Sequence, residues 1–409
     1  MKKIAIIGTG ISGLTCAYYL APHYQVELFE ANDYIGGHTH TVDVEWQGEK
    51  SSIDTGFIVF NDRTYPNFIR LLTELGVAYQ KTEMSFSVRN DDIDLEYNGN
   101  NLNGLFSQRR NLFSPSFWGM LKDVVRFNRD VRLNDDPDRT IGQYLEQRSF
   151  SPVFRDNYLL PMISAIWSMG VDDSRNFPLR FFVRFFENHG LLNLLDRPQW
   201  YSICGGSRSY IVPLTQRFEK SINLETAVRE VVPCEKGILL RTQSDEAVFD
   251  GVIFACHADQ ALRILTQPTT EQGQVLGSIP FSDNEVVLHC DTSLLPRSQR
   301  AWASWNYRVH VQETEQPTLT YNMNILQQLQ KQSTYLVTLN EAVREDKVIR
   351  RFNYSHPQYT QKAVVAQSRW GEISGVDHIH YCGAYWFNGF HEDGVRSAIK
   401  VCRALGVSP

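Results

Sequence analysis

Gly8, Gly10 and Gly13 form a G-x-G-x-x-G run, and Glu30 follows seventeen residues after Gly13. These residue types at this spacing can hold a dinucleotide. Gly8 allows a tight turn, Gly10 lets a pyrophosphate reach the backbone, and Gly13 lets a helix pack closely on a strand. Ile11 and Ser12 complete the turn ahead of that helix, whose unpaired N–H groups face phosphate charge. A carboxylate at Glu30 accepts hydrogen bonds from ribose hydroxyls and repels a 2′-phosphate. Near the other end of the chain, His391-Glu392-Asp393 could move a proton. His391 is the best single carrier, because imidazole titrates near neutral pH. Phe390 and Trp386 just before it supply aromatic walls. The competing reading makes His391 and Glu392 mere caps, with Asp393 as the N-cap of a helix starting near Gly394. His189 is a weaker candidate and reads as structural.

The elements that must position these groups are legible from pattern. Lys3 to Ile7 is an apolar, β-branched run suited to a buried parallel strand. Leu14 to Leu20 reads as an apolar helix, and Gln25 to Phe29 as the second strand, ending on Glu30. Gly36-Gly37-His38-Thr39 is a second place where bare backbone can pass the dinucleotide. Asp54-Thr55-Gly56 then leads into another strand. Residues 63–197 carry apolar positions at spacings of three and four and read as mainly helical, with a strand excursion near Ser85 to Tyr97. Gly205-Gly206-Ser207 opens a helix, and Asn223 to Val231 and Asp250 to Cys256 return to strand. Asp283 to Arg369 holds strands punctuated by prolines.

Composition narrows the class. Hydrophobic residues are 42% and charged residues 21%, as in a soluble globular enzyme with a large core. A net charge of −6 with no basic tract argues against nucleic acid as a partner. No apolar run is long enough to span a bilayer, and the first residues go straight into a strand. Seven scattered cysteines without C-x-x-C spacing read as reduced thiols of a cytoplasmic protein. His378 and His380 alternate on a strand with no further ligand beside them, so no metal is expected. Leu102 to Phe127 sets aromatics beside Arg and Lys. It reads first as a helix packed on its own domain with snorkelling cations, and second as a peripheral contact with the inner face of a membrane.

The glycine turn, the acid, Gly36-Gly37-His38-Thr39, Asp54-Thr55-Gly56, Asp250 to Cys256, and Gly383 to Ala398 together resemble the flavin-containing amine oxidase and phytoene desaturase superfamily. The resemblance is strong over 4–56, 201–257 and 379–405 and textural between them. It implies an α/β fold with a discontinuous Rossmann-type FAD-binding domain (1–62, 201–265 and 371–409) and a mixed α+β substrate domain (63–200 and 266–370). It implies non-covalent FAD held by the glycine turn, Glu30, Gly36, Gly37, His38, Thr39, Thr55, Gly56, Val228, Ala255, Gly383, Ala384, Asp393, Gly394, Val395 and Ala398. A helix starting near Gly394 would face the flavin. Two departures weaken individual contacts: His38 stands where relatives carry Arg, and Ala384 where they carry an acid. Cys382 and Cys402 are candidates for covalent attachment by location only.

The segment His391-Glu392-Asp393-Gly394 resembles most a bacterial branch of amine-oxidase-like proteins that accompanies cyclopropane or methyl fatty-acyl synthases. That implies dehydrogenation of an apolar substrate, a modified fatty-acyl chain of a membrane lipid. The alternatives are an amine oxidase releasing hydrogen peroxide and a non-catalytic flavoprotein partner of a lipid-modifying enzyme. The sequence leaves the oligomeric state open.

Overall fold

A five-stranded parallel sheet gathers both ends of the chain and its middle. The computed structural model describes residues 1–133, 136, 138–193, 196–309 and 317–409. The strands are β1 (Lys3–Ile7), β2 (Gln25–Phe29), β3 (Ile222–Asn223), β4 (Gly251–Phe254) and β5 (Ile379–Tyr381). Their order is β3-β2-β1-β4-β5, with Ile6 opposite Leu28 and Ile253 and with Ile253 opposite His380. Strand side chains alternate between faces, so β1 feeds two cores. Ile4 and Ile6 join Leu14, Ala17 and Leu20 of α1 (Ile11–Leu20) and Val395, Ala398 and Cys402 of α2 (His391–Ala404). Ala5 and Ile7 join Val252, Phe254, Phe249 and Ala261 on the other face. Both faces are covered, which is why β1 and β4 read as unbroken apolar runs.

A seven-stranded sheet forms the second layer. Its order is Val348–Pro357, Phe281–His289, Leu336–Leu339, Leu319–Asn322, Trp305–Val309, Phe86–Asn90 and Leu95–Asn98. The strand excursion near Ser85 to Tyr97 is thus one edge of this sheet, joined in parallel to Trp305–Val309. Helices of the 102–188 region pack their Phe-rich faces together. Pro115–Asp130 buries Phe117, Met120, Val124 and Phe127, and Leu179–Asn188 buries Phe181, Phe182, Phe185 and Phe186.

Two local expectations are corrected. Asn223 to Val231 is not one strand: Glu225 takes a left-handed φ of 50°, and regular pairing resumes only at Glu230–Cys234. Val228 therefore lies in the irregular link, its side chain buried with Phe29 and Ile7. The last helix begins at His391 rather than near Gly394. Asp393 is its third residue, and its Oδ2 accepts the Phe390 N–H at 3.0 Å and the Asn388 N–H at 3.2 Å. A carboxylate reaching back from inside the first turn satisfies donors ahead of it, so the helix needs no Asp at its N-cap.

Candidate active site

The glycine turn is built as three different requirements. Gly8 has φ of 106°, and a Cβ there would sit 2.9 Å from the Ala255 carbonyl oxygen. A Cβ on Gly13 would lie 2.1 Å from the Gly8 oxygen, so α1 can rest on the turn only without one. Gly10 is opposite in kind: a Cβ there would meet nothing within 4 Å. Its face is open, and Gly37 comes up beside it, with an added Cβ 3.2 Å from the Gly10 Cα.

The same neighbourhood receives the other glycine segments. A Cβ on Gly56 would lie 2.2 Å from the His38 oxygen, and one on Gly36 2.6 Å from the Thr39 oxygen. Gly394 abuts α1: its added Cβ would fall 2.6 Å from Ile11 Cγ2 and 3.0 Å from Ser12 Oγ. The first turns of α1 and α2 therefore converge, and two positive helix ends serve one place. Val395 and Ala398 fix this approach from within the core. Further along α2, Ser397 Oγ accepts the Gly383 N–H at 2.9 Å, tying the strand-end glycine to the helix. Ala384 follows in a short 3₁₀ turn, Ala384–Trp386.

Glu30 is buried at the tip of β2 and already serves the protein. Its Oε2 accepts the Thr9 N–H at 3.0 Å and the Thr9 hydroxyl at 2.6 Å, and its Oε1 accepts from Asn32 N and Nδ2, both at 3.0 Å. The acid thus braces the turn as well as marking the strand end. Thr55 Oγ1 donates to the His40 carbonyl and lies 2.9 Å from the Tyr354 hydroxyl.

His391 is not placed as a titrating group. Its ring stacks on Phe57 at 3.6 Å, and Nε2 lies 2.8 Å from the Tyr210 hydroxyl and 3.2 Å from Thr39 Oγ1. Full burial pulls its pKa well below the ordinary imidazole value, so the near-neutral titration expected from its type is lost to desolvation. Glu392 points elsewhere: Oε2 accepts the Phe68 N–H at 2.9 Å and Oε1 the Asn67 amide at 2.5 Å, capping the helix Pro66–Glu74. Burial raises Asp393 to about 7, against the pull of its backbone donors. Phe390 stacks on Phe185 at 5.1 Å and is tilted over His189 at 5.7 Å. Trp386 does not join them; it packs with Tyr385 in the core on the far side of the sheet.

Other site residues gave little sign in the sequence. His257 and His356 gather about the expected His38 from two further segments, with ring centroids 6.3 and 5.6 Å from it. Burial holds all three neutral, His257 and His356 near 3. The Asn340 amide donates to Asn284 Oδ1 and the Asn284 amide to His356 Nδ1, which leaves the His356 proton on Nε2. Asp54 is fully buried and accepts the Ser207 N–H at 2.8 Å and the Thr41 hydroxyl at 2.6 Å, joining the D-x-G segment to Gly205-Gly206. The Asp54-Thr55-Gly56 motif singled it out, but not its partners. Cys382 and Cys402 are fully buried in the core between α1 and α2, where Cys382 Sγ lies 3.8 Å from Cys16 Sγ.

The open face of Gly10, the converging helix starts and the buried His38 Nε2, which has no hydrogen-bond partner among the described residues, fit a flavin dinucleotide. Residues 11–287 match the family of flavin containing amine oxidoreductases, and the chain belongs to that family. Its members use FAD in oxidoreductase chemistry. A 45-residue stretch is 51% identical to 1-hydroxycarotenoid 3,4-desaturase of Flavobacterium sp. (strain P99-3), spanning 11% of this chain and 9% of that protein. Among solved structures, cyclohexylamine oxidase from Brevibacterium oxydans IH-35A superposes with a TM-score of 0.71 at 16% identity, covering 99% of this chain and 98% of that one. A fatty acid isomerase from P. acnes that produces CLA gives 0.70 at 12% identity, covering 99% of each. These likenesses are of fold.

Proposed function

We propose that this protein dehydrogenates an apolar substrate, a modified fatty-acyl chain of a membrane lipid, with FAD as the immediate electron acceptor. Bound FAD supplies a two-electron acceptor at N5 of its ring. The chain's own residues do the rest: the Gly8 to Gly13 turn and Gly36-Gly37 receive the dinucleotide, and the two helix starts stabilise negative charge there. Phe390 and Phe185 add apolar ring surface and His189 a neutral ring beside them.

The observation that carries the reading is the stack of Phe390 on Phe185, with His189 beside it. His189 donates from Nδ1 to the Phe185 carbonyl at 2.9 Å, and burial holds it near 4, so this wall is neutral at physiological pH. The carboxylates nearest in sequence are engaged, Glu392 by the helix at Asn67 and Asp393 by Phe390 and Asn388. A cationic amine finds no counter-ion from them, whereas a hydrocarbon loses nothing on such a wall. An anaerobic titration tests this. Flavin colour should bleach with lipid acyl chains and persist with a panel of small amines. Bleaching by amines, with peroxide released in air, would establish an amine oxidase instead.

A further inference from the structure

The helical region carries an apolar face that the fold leaves uncovered. Phe113 is 87% exposed, Leu102 75%, Val125 53%, Trp118 50% and Leu112 43%. Single exposed apolar residues are ordinary, but these five fall within one stretch of 24 residues. The Trp118 indole N–H donates to the Leu112 carbonyl at 3.0 Å, and its ring lies 5.5 Å from Phe106. The Arg109 guanidinium ties Phe106 O to Asn103 Oδ1. Along Pro115–Asp130, Phe117, Met120, Val124 and Phe127 face the core, so Trp118, Lys122, Val125 and Arg129, at helical spacing, face out. Apolar and cationic side chains alternate on that outer face.

The charge of this stretch is opposite to that of the whole chain. Residues 102–133 hold six Arg and Lys against two Asp, a local balance of +4 in a protein of −6. Arg110, Arg126, Arg129 and Arg132 reach Asp94, Asp123, Asp130 and Glu187, but among the described residues Arg109 reaches only neutral oxygens. Exposed aromatics among cations match an interface of acyl chains beneath anionic headgroups.

We infer that Leu102, Leu112, Phe113, Trp118 and Val125 form the face by which this protein docks on an anionic lipid bilayer. The inference stands apart from the substrate, because it concerns binding and not turnover. The test is co-sedimentation of the FAD-loaded protein with vesicles of phosphatidylcholine alone, or of phosphatidylcholine and phosphatidylglycerol in equal parts. The protein should sediment with the anionic vesicles, and less at high salt. Phe113→Glu should lower that partitioning at least about tenfold without changing flavin content, because the substitution sets a charge at the acyl boundary. Val365→Glu, at an exposed apolar residue on another helix, should change nothing. Three results would overturn the proposal: no binding to either vesicle, unchanged binding of Phe113→Glu, or a dimer in solution that Phe113→Glu dissociates, which would assign the face to a second copy of the chain.

Discussion

The hydroxyl of Tyr210 lies 2.8 Å from Nε2 of His391, joining the segment after Gly205-Gly206 to the first residue of the last helix. Thr39 Oγ1, 3.2 Å from the same nitrogen, brings in the Gly36-Gly37 segment. One imidazole thus ties three distant stretches together beside the glycine turn. His391→Ala removes this junction and the stack on Phe57, and should destabilise the folded protein by roughly 2–4 kcal/mol. Thermal unfolding measures that loss. Because His391 is held neutral, flavin reduction in the wild type should show no inflection between pH 5 and 8 that the variant lacks. An inflection removed by the substitution would restore His391 as a proton carrier.

Gly10 and Gly13 should separate binding from folding. Gly10→Val places its side chain in open space, so the protein should unfold at nearly the wild-type temperature while losing FAD, its retained flavin falling at least about tenfold. Gly13→Ala forces a methyl against the Gly8 carbonyl and should cost about 2–4 kcal/mol of stability. Flavin absorbance and a thermal melt on both proteins check the pair. Normal flavin content in Gly10→Val would move the dinucleotide elsewhere.

Asp393 predicts a pH signature. Burial raises its carboxyl from 3.8 to about 7, so its favourable contribution is complete below pH 4 and is lost as pH rises through about 7. Asp393→Asn can still accept the two backbone N–H groups through its amide oxygen. Its stability relative to the wild type should therefore climb between pH 4 and 7, by up to roughly 4 kcal/mol, and then level off. Melting temperatures of both proteins across that range provide the test. A constant offset would mean that the carboxyl is not desolvated.

Glu392 holds the first turn of Pro66–Glu74 across 324 residues of sequence. Glu392→Ala should cost about 1–2 kcal/mol, the worth of a lost helix cap, with protection from amide exchange falling first at Asn67 and Phe68. Loss of substrate-driven flavin reduction at unchanged stability would argue for a chemical role.

What could be read from the chain follows the range of the interactions. The Gly8 to Gly13 turn, β1, α1 and β2 were legible because each requirement is local: a φ, a periodicity, an acid at a strand end. The start of α2 was misread because Asp393 caps from inside, a geometry that residue type alone does not distinguish from an N-cap. The roles of Glu392, Asp54 and His356 were opaque for another reason. Their partners, Phe68, Ser207 and Asn284, come from other elements, and only the folded chain brings them together. Trp386 was grouped with Phe390 by nearness in sequence, yet the 3₁₀ turn Ala384–Trp386 sends it into the core on the other face of the sheet.

The strand order of the parallel sheet has a consequence for biosynthesis. β1 is made first, but its neighbour β4 is about 250 residues away and β5, next to β4, arrives only at residues 379–381. Until β4 is made β1 therefore has one unpaired apolar edge, and β4 has one until β5 follows. The nucleotide cradle closes only when α2 has packed against α1 and β1, so its assembly depends on contacts between segments far apart in sequence, a slow class of folding step.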